Sequence, residues 1–131
     1  MKKSKKTILT ISLLALILTL SNCNQCINAV SYIDNTKPLN FTSNFQGASE
    51  IAVNSDKFKR LTQWLSGNSC GWQPSPASYA STGVCVSQQN NFRLLYWKGT
   101  DEVVIGLIDK GNSSKQYSKR ISKGELDFLA D

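Results

Sequence analysis

The chain has 131 residues, of which 40% are hydrophobic and 18% charged, and 15 Lys and Arg against 9 Asp and Glu give it a formal net charge of +6. This length supports one small domain, and the composition excludes a polytopic membrane protein, a collagen-like repeat and a highly charged disordered chain. The sequence contains no histidine, so the commonest general base and the commonest transition-metal ligand are both missing.

The first 20 residues have the pattern of an export signal. Four lysines within residues 2–6 precede a run from Thr7 to Leu20 that contains only apolar and hydroxyl side chains. A basic segment followed by an apolar segment of about 7–15 residues is typical of a secretory signal. A membrane-spanning helix needs about 20 apolar residues, so an uncleaved N-terminal anchor is the less favoured interpretation.

The residues after this run favour one type of signal. The sequence Leu20-Ser21-Asn22-Cys23 places a leucine three residues before a cysteine, and it resembles the lipobox of bacterial lipoproteins. The resemblance covers residues 1–23. It implies that residues 1–22 are a signal peptide and that Cys23 becomes the lipidated first residue of the mature protein. It also implies a location in the bacterial cell envelope, anchored through lipid and facing the periplasm or the exterior. Several acyl chains, at about 0.8 kcal/mol per buried CH₂, give a firm anchor.

Removal of residues 1–22 changes the charge balance. Four of the 15 basic residues are lost, so 11 remain against 9 acidic residues and the net charge falls to +2. We therefore expect no nucleic-acid partner. The remaining basic cluster is interspersed with polar residues, which is typical of a solvated surface, although it could also contact anionic lipid headgroups. The cluster consists of Lys115, Lys119, Arg120 and Lys123.

Three cysteines remain for disulfide formation once Cys23 is lipidated. An oxidising compartment favours disulfides, and Cys70 and Cys85 flank a proline-containing segment, so a Cys70–Cys85 bridge is predicted and Cys26 is left over. Cys23 and Cys26 also form a C-x-x-C pattern. A redox C-x-x-C opens a helix after a strand, whereas this one follows the signal directly, so the pattern does not favour redox chemistry.

The mature chain divides into a polar arm and a small domain. Residues 23–47 contain few periodic apolar positions and are predicted to be a polar tether or arm. Part of this segment could pack on the domain, because it contains Tyr32, Ile33, Leu39, Phe41 and Phe45. Residues 48–131 form the predicted domain, whose small size makes a disulfide a useful source of stability.

The predicted elements of this domain include one helix and several strands. They are a strand at 48–53, a helix from Asp56 to Gly67 capped by Ser55, strands at 83–87, 92–97, 102–109 and 117–121, and a short helix opened by a capping box at Ser122 and Glu125. Short turns between the strands predict an α+β fold. We expect a small antiparallel sheet of about four strands, with one main helix packed on one face and a short C-terminal helix.

The loop after the main helix contains the predicted partner-binding residues Trp72, Gln73 and Tyr79. Aromatic side chains on a proline-stiffened loop can bind a sugar ring, a peptide or a protein. The alternative interpretation is that Trp72 folds back over a small core.

The sequence lacks the usual catalytic patterns. It has no G-x-S-x-G motif, no P-loop and no dinucleotide-binding glycine pattern, so no catalytic residue, metal site or cofactor is predicted. We predict a non-catalytic envelope protein that binds a protein or cell-wall partner, including inhibitor or immunity-type roles. The alternative is an envelope thiol or redox protein that uses Cys26 or Cys70, or a small hydrolase that uses acidic residues. Asp101 with Glu102, or Asp109, could form an acid pair, although these residues lie at predicted turns, where solvation is expected.

Overall fold

The computed structural model describes residues 25–44, 48–80 and 82–131. The predicted signal segment, the lipobox and Cys23 lie outside the described residues. The strands are β1 (Leu39–Ser43), β2 (Ser49–Ile51), β3 (Gln73–Pro74), β4 (Val84–Gln88), β5 (Phe92–Tyr96), β6 (Glu102–Ile108) and β7 (Ser114–Arg120). The helix α1 is Asp56–Gly67, and two short 3-10 helices span Ala29–Tyr32 and Asp127–Leu129.

The seven strands form one sheet in the order β2-β1-β4-β5-β6-β7-β3, and every neighbouring pair is antiparallel. Strands β4 to β7 follow one another along the chain as hairpins, while the residues before β4 supply the strands at both edges. The predicted fold class is therefore wrong. The described chain is mostly β, with seven strands rather than about four and with one α-helix.

One of the strands that was not predicted, β1, comes from the segment predicted to be a tether. Strand β1 lies inside the sheet between β2 and β4, and Leu39 is fully buried. A polar side chain from β4 explains how so polar a segment joins the fold. The buried Gln88 carboxamide donates from Nε2 to the carbonyls of Asp34 at 2.8 Å and Lys37 at 3.0 Å. The segment also contributes Ala29, Ile33 and Leu39 to the core, so hydrogen bonds and apolar contacts together attach it to the sheet.

The predicted helix is confirmed with both of its ends. The Ser55 side chain accepts a hydrogen bond from the Phe58 backbone N–H at 3.2 Å, as expected of an N-cap. Phe58, Leu61 and Leu65 are buried, and this apolar stripe faces the sheet. The helix begins just after β2 and ends just before β3, so it connects the two edges of the sheet.

The predicted C-terminal helix is wrong. Gly124, between the two capping-box residues, has a φ of +76°, a left-handed conformation that does not continue a helix. A 3-10 helix at Asp127–Leu129 follows instead, and the Asp127 carboxylate accepts hydrogen bonds from the Tyr96 hydroxyl at 2.6 Å and the Gly99 N–H at 2.8 Å. These contacts fix the C-terminus to the end of β5.

The main core lies on one face of the sheet. Val86, Leu94 and Ile105 are aligned across β4, β5 and β6, and all three are fully buried in the cluster that also contains the helix stripe. Alternate residues of the same strands point to the opposite face. The opposite face is therefore the one available for a site.

The disulfide joins Cys26 to Cys70 rather than Cys70 to Cys85, and Cys85 is a free, partly buried thiol. The presence of a disulfide is thus confirmed, but the partner of Cys70 is Cys26 and not Cys85. Cys85 lies on β4 in register with Leu95 of β5, well inside the sheet. Gln25, next to Cys26, forms a β-bridge with Trp72, which brings Cys26 to Cys70. This pairing depends on tertiary contacts that cysteine spacing does not reveal.

Candidate functional site

The sheet face opposite the core carries small and polar side chains at one end, and the buried Leu95 and Val104 beside them. We call this side of the sheet the open face. Ser87, Arg93, Gly106 and Gln116 form a row across β4, β5, β6 and β7, and Cys85 lies beside this row. Arg93 is exposed, while Ser87, Gly106 and Gln116 are partly buried. Three of these four strands therefore present hydrogen-bonding side chains on a rigid scaffold.

Gly106 leaves a gap in the middle of the open face. A Cβ atom built at Gly106 would have the Cβ of Arg93 as its nearest neighbour, at 3.9 Å. The row thus consists of a guanidinium and a carboxamide on either side of bare backbone. A recess of about 410 Å³ lies over this gap, lined by residues that include Cys85, Ser87, Arg93, Gly106 and Gln116. Ser114 also lines it.

A loop of residues 75–80, which we call the strap, borders one side of the open face. Gln116 holds it, because its Nε2 donates to the carbonyls of Ser75 at 2.9 Å and Ala77 at 2.7 Å. The Ser75 N–H also donates to the Gln116 carbonyl at 2.9 Å. Leu95 is 5% exposed although it lies on this face, and it shares with the strap a recess of about 960 Å³.

The predicted partner-binding residues do not form a single platform. Trp72 is fully buried, donates from its indole N–H to the Asn68 carbonyl at 2.8 Å and packs edge-on against Trp64. It therefore belongs to the core, as in the alternative interpretation. Gln73 is exposed on β3.

Tyr79 lies in the strap and is partly buried. Its hydroxyl is 2.5 Å from the Ser75 Oγ, and its ring packs against Trp97 with a centroid distance of 5.8 Å. It lines the larger recess. Of the three predicted residues, Tyr79 alone lines a recess of the open face. The sequence analysis did not single out Arg93, Gly106 or Gln116, although the alternation Phe92-Arg93-Leu94 in a predicted strand already placed Arg93 opposite the core.

The acidic residues considered for catalysis are held by other contacts. Asp101 accepts a hydrogen bond from Arg120 at 2.6 Å. The Tyr32 hydroxyl donates to Asp109 and holds the pKa of that carboxyl below its usual value. A general acid at neutral pH requires the opposite shift. In residues 25–44, 48–80 and 82–131, no group of three or more Cys, Asp or Glu side chains could hold a metal ion.

The comparisons with known proteins yield no relative: no protein-family model matches the chain, and no curated protein and no solved structure matches it significantly. Within the part of the chain that the structure describes, no helix has both the length and the apolar character needed to cross a bilayer. The chemistry of the open face is therefore interpreted from its own geometry.

Proposed function

We propose that this chain is a lipid-anchored protein of the bacterial cell envelope whose domain binds a protein or cell-wall partner on the open face without catalysing a reaction. The proposal rests on the row formed by Ser87, Arg93, Gly106 and Gln116. One face of the sheet is filled by the core, whereas this face presents polar groups around a gap. A hydrogen-bonding surface on rigid strands is well suited to recognition.

The groups on the open face fit peptide-like or glycan-like chemistry. A guanidinium donates two parallel hydrogen bonds to a carboxylate. The Gln116 Nε2 already donates to the strap carbonyls, so this side chain offers a ligand its carbonyl oxygen as an acceptor. Amides, carboxylates and hydroxyls occur together in peptides and in cell-wall glycopeptides. In the described part of the chain, Arg93 forms no ion pair, so its charge is available to a ligand.

Photo-crosslinking in intact cells tests the binding surface. A photoreactive residue at Ser114, which lines both recesses of the open face, is compared with the same residue at Lys59, which is exposed on α1. We expect a discrete product, either a protein or a cell-wall fragment, from position 114 alone, and its loss in the Arg93→Ala variant. Equal crosslinking from both positions, or no effect of Arg93→Ala, would contradict the proposal.

Metabolic labelling with palmitate tests the anchor. We expect Cys23→Ser to abolish labelling and to move the protein out of the membrane fraction, because the lipobox-like cysteine is the acceptor. The matched control is Cys85→Ser, which removes the free thiol of the described domain and should leave labelling unchanged. Labelling that survives Cys23→Ser would refute the lipoprotein assignment.

A further inference from the structure

The start of the described chain is bound firmly to one edge of the sheet. The Gln25 N–H donates to the Trp72 carbonyl at 2.9 Å, and the Trp72 N–H donates back to the Gln25 carbonyl at 3.2 Å. The next residue, Cys26, is bonded to Cys70, and the Ile27 N–H donates to the Ser69 carbonyl at 2.6 Å. Three consecutive residues are therefore attached to the domain.

This attachment leaves almost no tether between the domain and the proposed lipidation site. A single residue, Asn24, separates Cys23 from Gln25 in the sequence. Consecutive Cα atoms are about 3.8 Å apart, so the Cα of Cys23 lies within about 7.6 Å of the Cα of Gln25. The headgroup layer of each leaflet is about 5–8 Å thick. A lipid on Cys23 would thus bring the edge at Gln25 to the headgroup layer itself.

The sheet order determines which parts of the domain are near that layer. Gln25 bridges to Trp72, the residue before β3, and β3 is one edge of the sheet while β2 is the other. Six strand spacings of about 4.8 Å separate the two edges, or about 29 Å measured along the sheet. One edge is therefore held close to the attachment point and the other is far from it.

The chemistry of the near edge suits a lipid surface. Lys119 of β7 donates to the Cys70 carbonyl and lies 6.0 Å from the Trp72 ring centroid. Lys115 lines the same recess as Gln25 but is paired with Asp109 at 3.6 Å, so Lys119 supplies the positive charge of this edge. Lysines beside an acylated residue are attracted by anionic headgroups. At the far edge, β2 carries the exposed carboxylate of Glu50, which the same headgroups repel.

We infer that the edge formed by Gln25, β3 and the Lys119 end of β7 is a membrane-contacting surface and that the sheet stands on this edge, with β2 directed away from the bilayer. The occupant of the surface is the headgroup layer of the membrane that holds the anchor. The Cys26–Cys70 disulfide maintains the orientation, because it prevents the chain after Cys23 from peeling away from the domain. The inference rests on the proposed lipidation of Cys23.

Short-range quenching measures this orientation. The lipidated full chain is reconstituted into phosphatidylethanolamine–phosphatidylglycerol vesicles that contain a nitroxide-headgroup lipid, with a fluorophore attached through an unnatural residue at either Gln73 or Glu50. Both positions are exposed. We expect quenching at position 73 to be at least threefold greater than at position 50. Flotation of the vesicles reports the anchor independently of the quenching.

The controls separate the two proposals. In a variant with both Cys26→Ser and Cys70→Ser, we expect flotation to persist and the quenching ratio to fall towards one. Flotation with equal quenching at both positions of the unmodified disulfide protein would overturn the orientation alone. Failure to float, together with absence of palmitate on Cys23, would overturn the anchor and the orientation with it.

Discussion

The two faces of the sheet are built from neighbouring residues of the same strands, yet at Leu94 and Arg93, and at Ile105 and Gly106, they differ in burial and polarity. Leu94 of β5 is fully buried on the covered face, and Arg93, one residue earlier, is exposed on the open face. Ile105 and Gly106 show the same contrast on β6: one fills the core and the other leaves a gap. The comparison teaches that a one-residue step separates the groups that stabilise the domain from those available for recognition.

The largest expected difference between the faces is in stability. Leu94→Ala removes a fully buried side chain from the centre of the core and should lower the free energy of unfolding by about 2–5 kcal/mol. The matched control, Arg93→Ala, should change it by about 0.5 kcal/mol or less. Urea unfolding of both variants measures the difference. A similar loss of unfolding free energy in the two variants would show that Arg93 on the open face also stabilises the fold.

The stability of the core side of the sheet should also depend on pH, through the Tyr96–Asp127 pair. The Tyr96 hydroxyl lowers the pKa of Asp127 below its ordinary value of 3.8, so the stabilisation is present above that pH and is lost as the pH falls through the folded-state pKa. Burial raises the pKa of Tyr96 from 10.0 to about 12. The corresponding stabilisation is present below pH 10 and is lost as the pH rises towards 12.

Urea midpoints measured from pH 2 to pH 12 check this behaviour. We expect a plateau between about pH 4 and pH 10, bounded by the ordinary Asp and Tyr values. Asp127→Asn should make the acid limb shallower, and Tyr96→Phe should weaken both limbs. Asp34 and Asp109, whose pKa values are also lowered, should retain part of the acid limb. Unchanged limbs in both variants would rule out this pair as the cause.

On the open face, the strap should depend on one carboxamide. Gln116→Ala removes two hydrogen bonds to strap carbonyls and should cost about 1 kcal/mol. Amide hydrogen exchange should accelerate in residues 75–80 while β5 keeps its protection. Gln73→Ala, at an exposed glutamine of the neighbouring strand β3, is the control. Equal acceleration in that control would contradict the role of Gln116.

The smallest expected change in stability is at Gly106. A Cβ there makes only an ordinary contact at 3.9 Å, and a strand interior is more stable without glycine by about 0.5–1 kcal/mol. Gly106→Val should therefore leave stability unchanged or slightly increased while it fills the recess and reduces crosslinking from position 114. Gly111→Val, in the exposed turn before β7, should affect neither property. Undiminished crosslinking in Gly106→Val would place the partner elsewhere.

Local patterns in the sequence predict the helix and the central strands well. The bounds of the helix follow from local signals, which are the cap at Ser55, the apolar stripe at Phe58, Leu61 and Leu65, and the terminating Gly67. Strands β4, β5 and β6 are likewise apolar runs between turn residues. Helix periodicity and strand alternation act over a few residues, which is why they can be recognised without tertiary information.

The edges of the sheet could not be predicted because tertiary contacts define them. β3 consists of two residues, Gln73 and Pro74, and has no apolar pattern. The turn that leads into β1 is held by Gln88, which donates to Asp34 and Lys37 from about 50 residues later in the chain. The same limit applies to the disulfide and to the open face. Nothing in the sequence distinguishes Arg93 and Gln116 from other polar residues, because only the strand register shows that they lie on either side of Gly106.

The strand order has a consequence for how the chain folds. Strands β4 to β7 are joined by turns of three to five residues, whereas the β1–β4 and β3–β7 pairs join residues more than 40 positions apart. Local contacts form before distant ones, so we expect the β4–β7 meander to be the folding nucleus. Pulse-labelled hydrogen exchange should then protect β5 and β6 first and β1 and β3 last. During synthesis from the N-terminus, β1 can pair early with β2, only about ten residues later, but its other neighbour, β4, forms only after more than 40 further residues have been made.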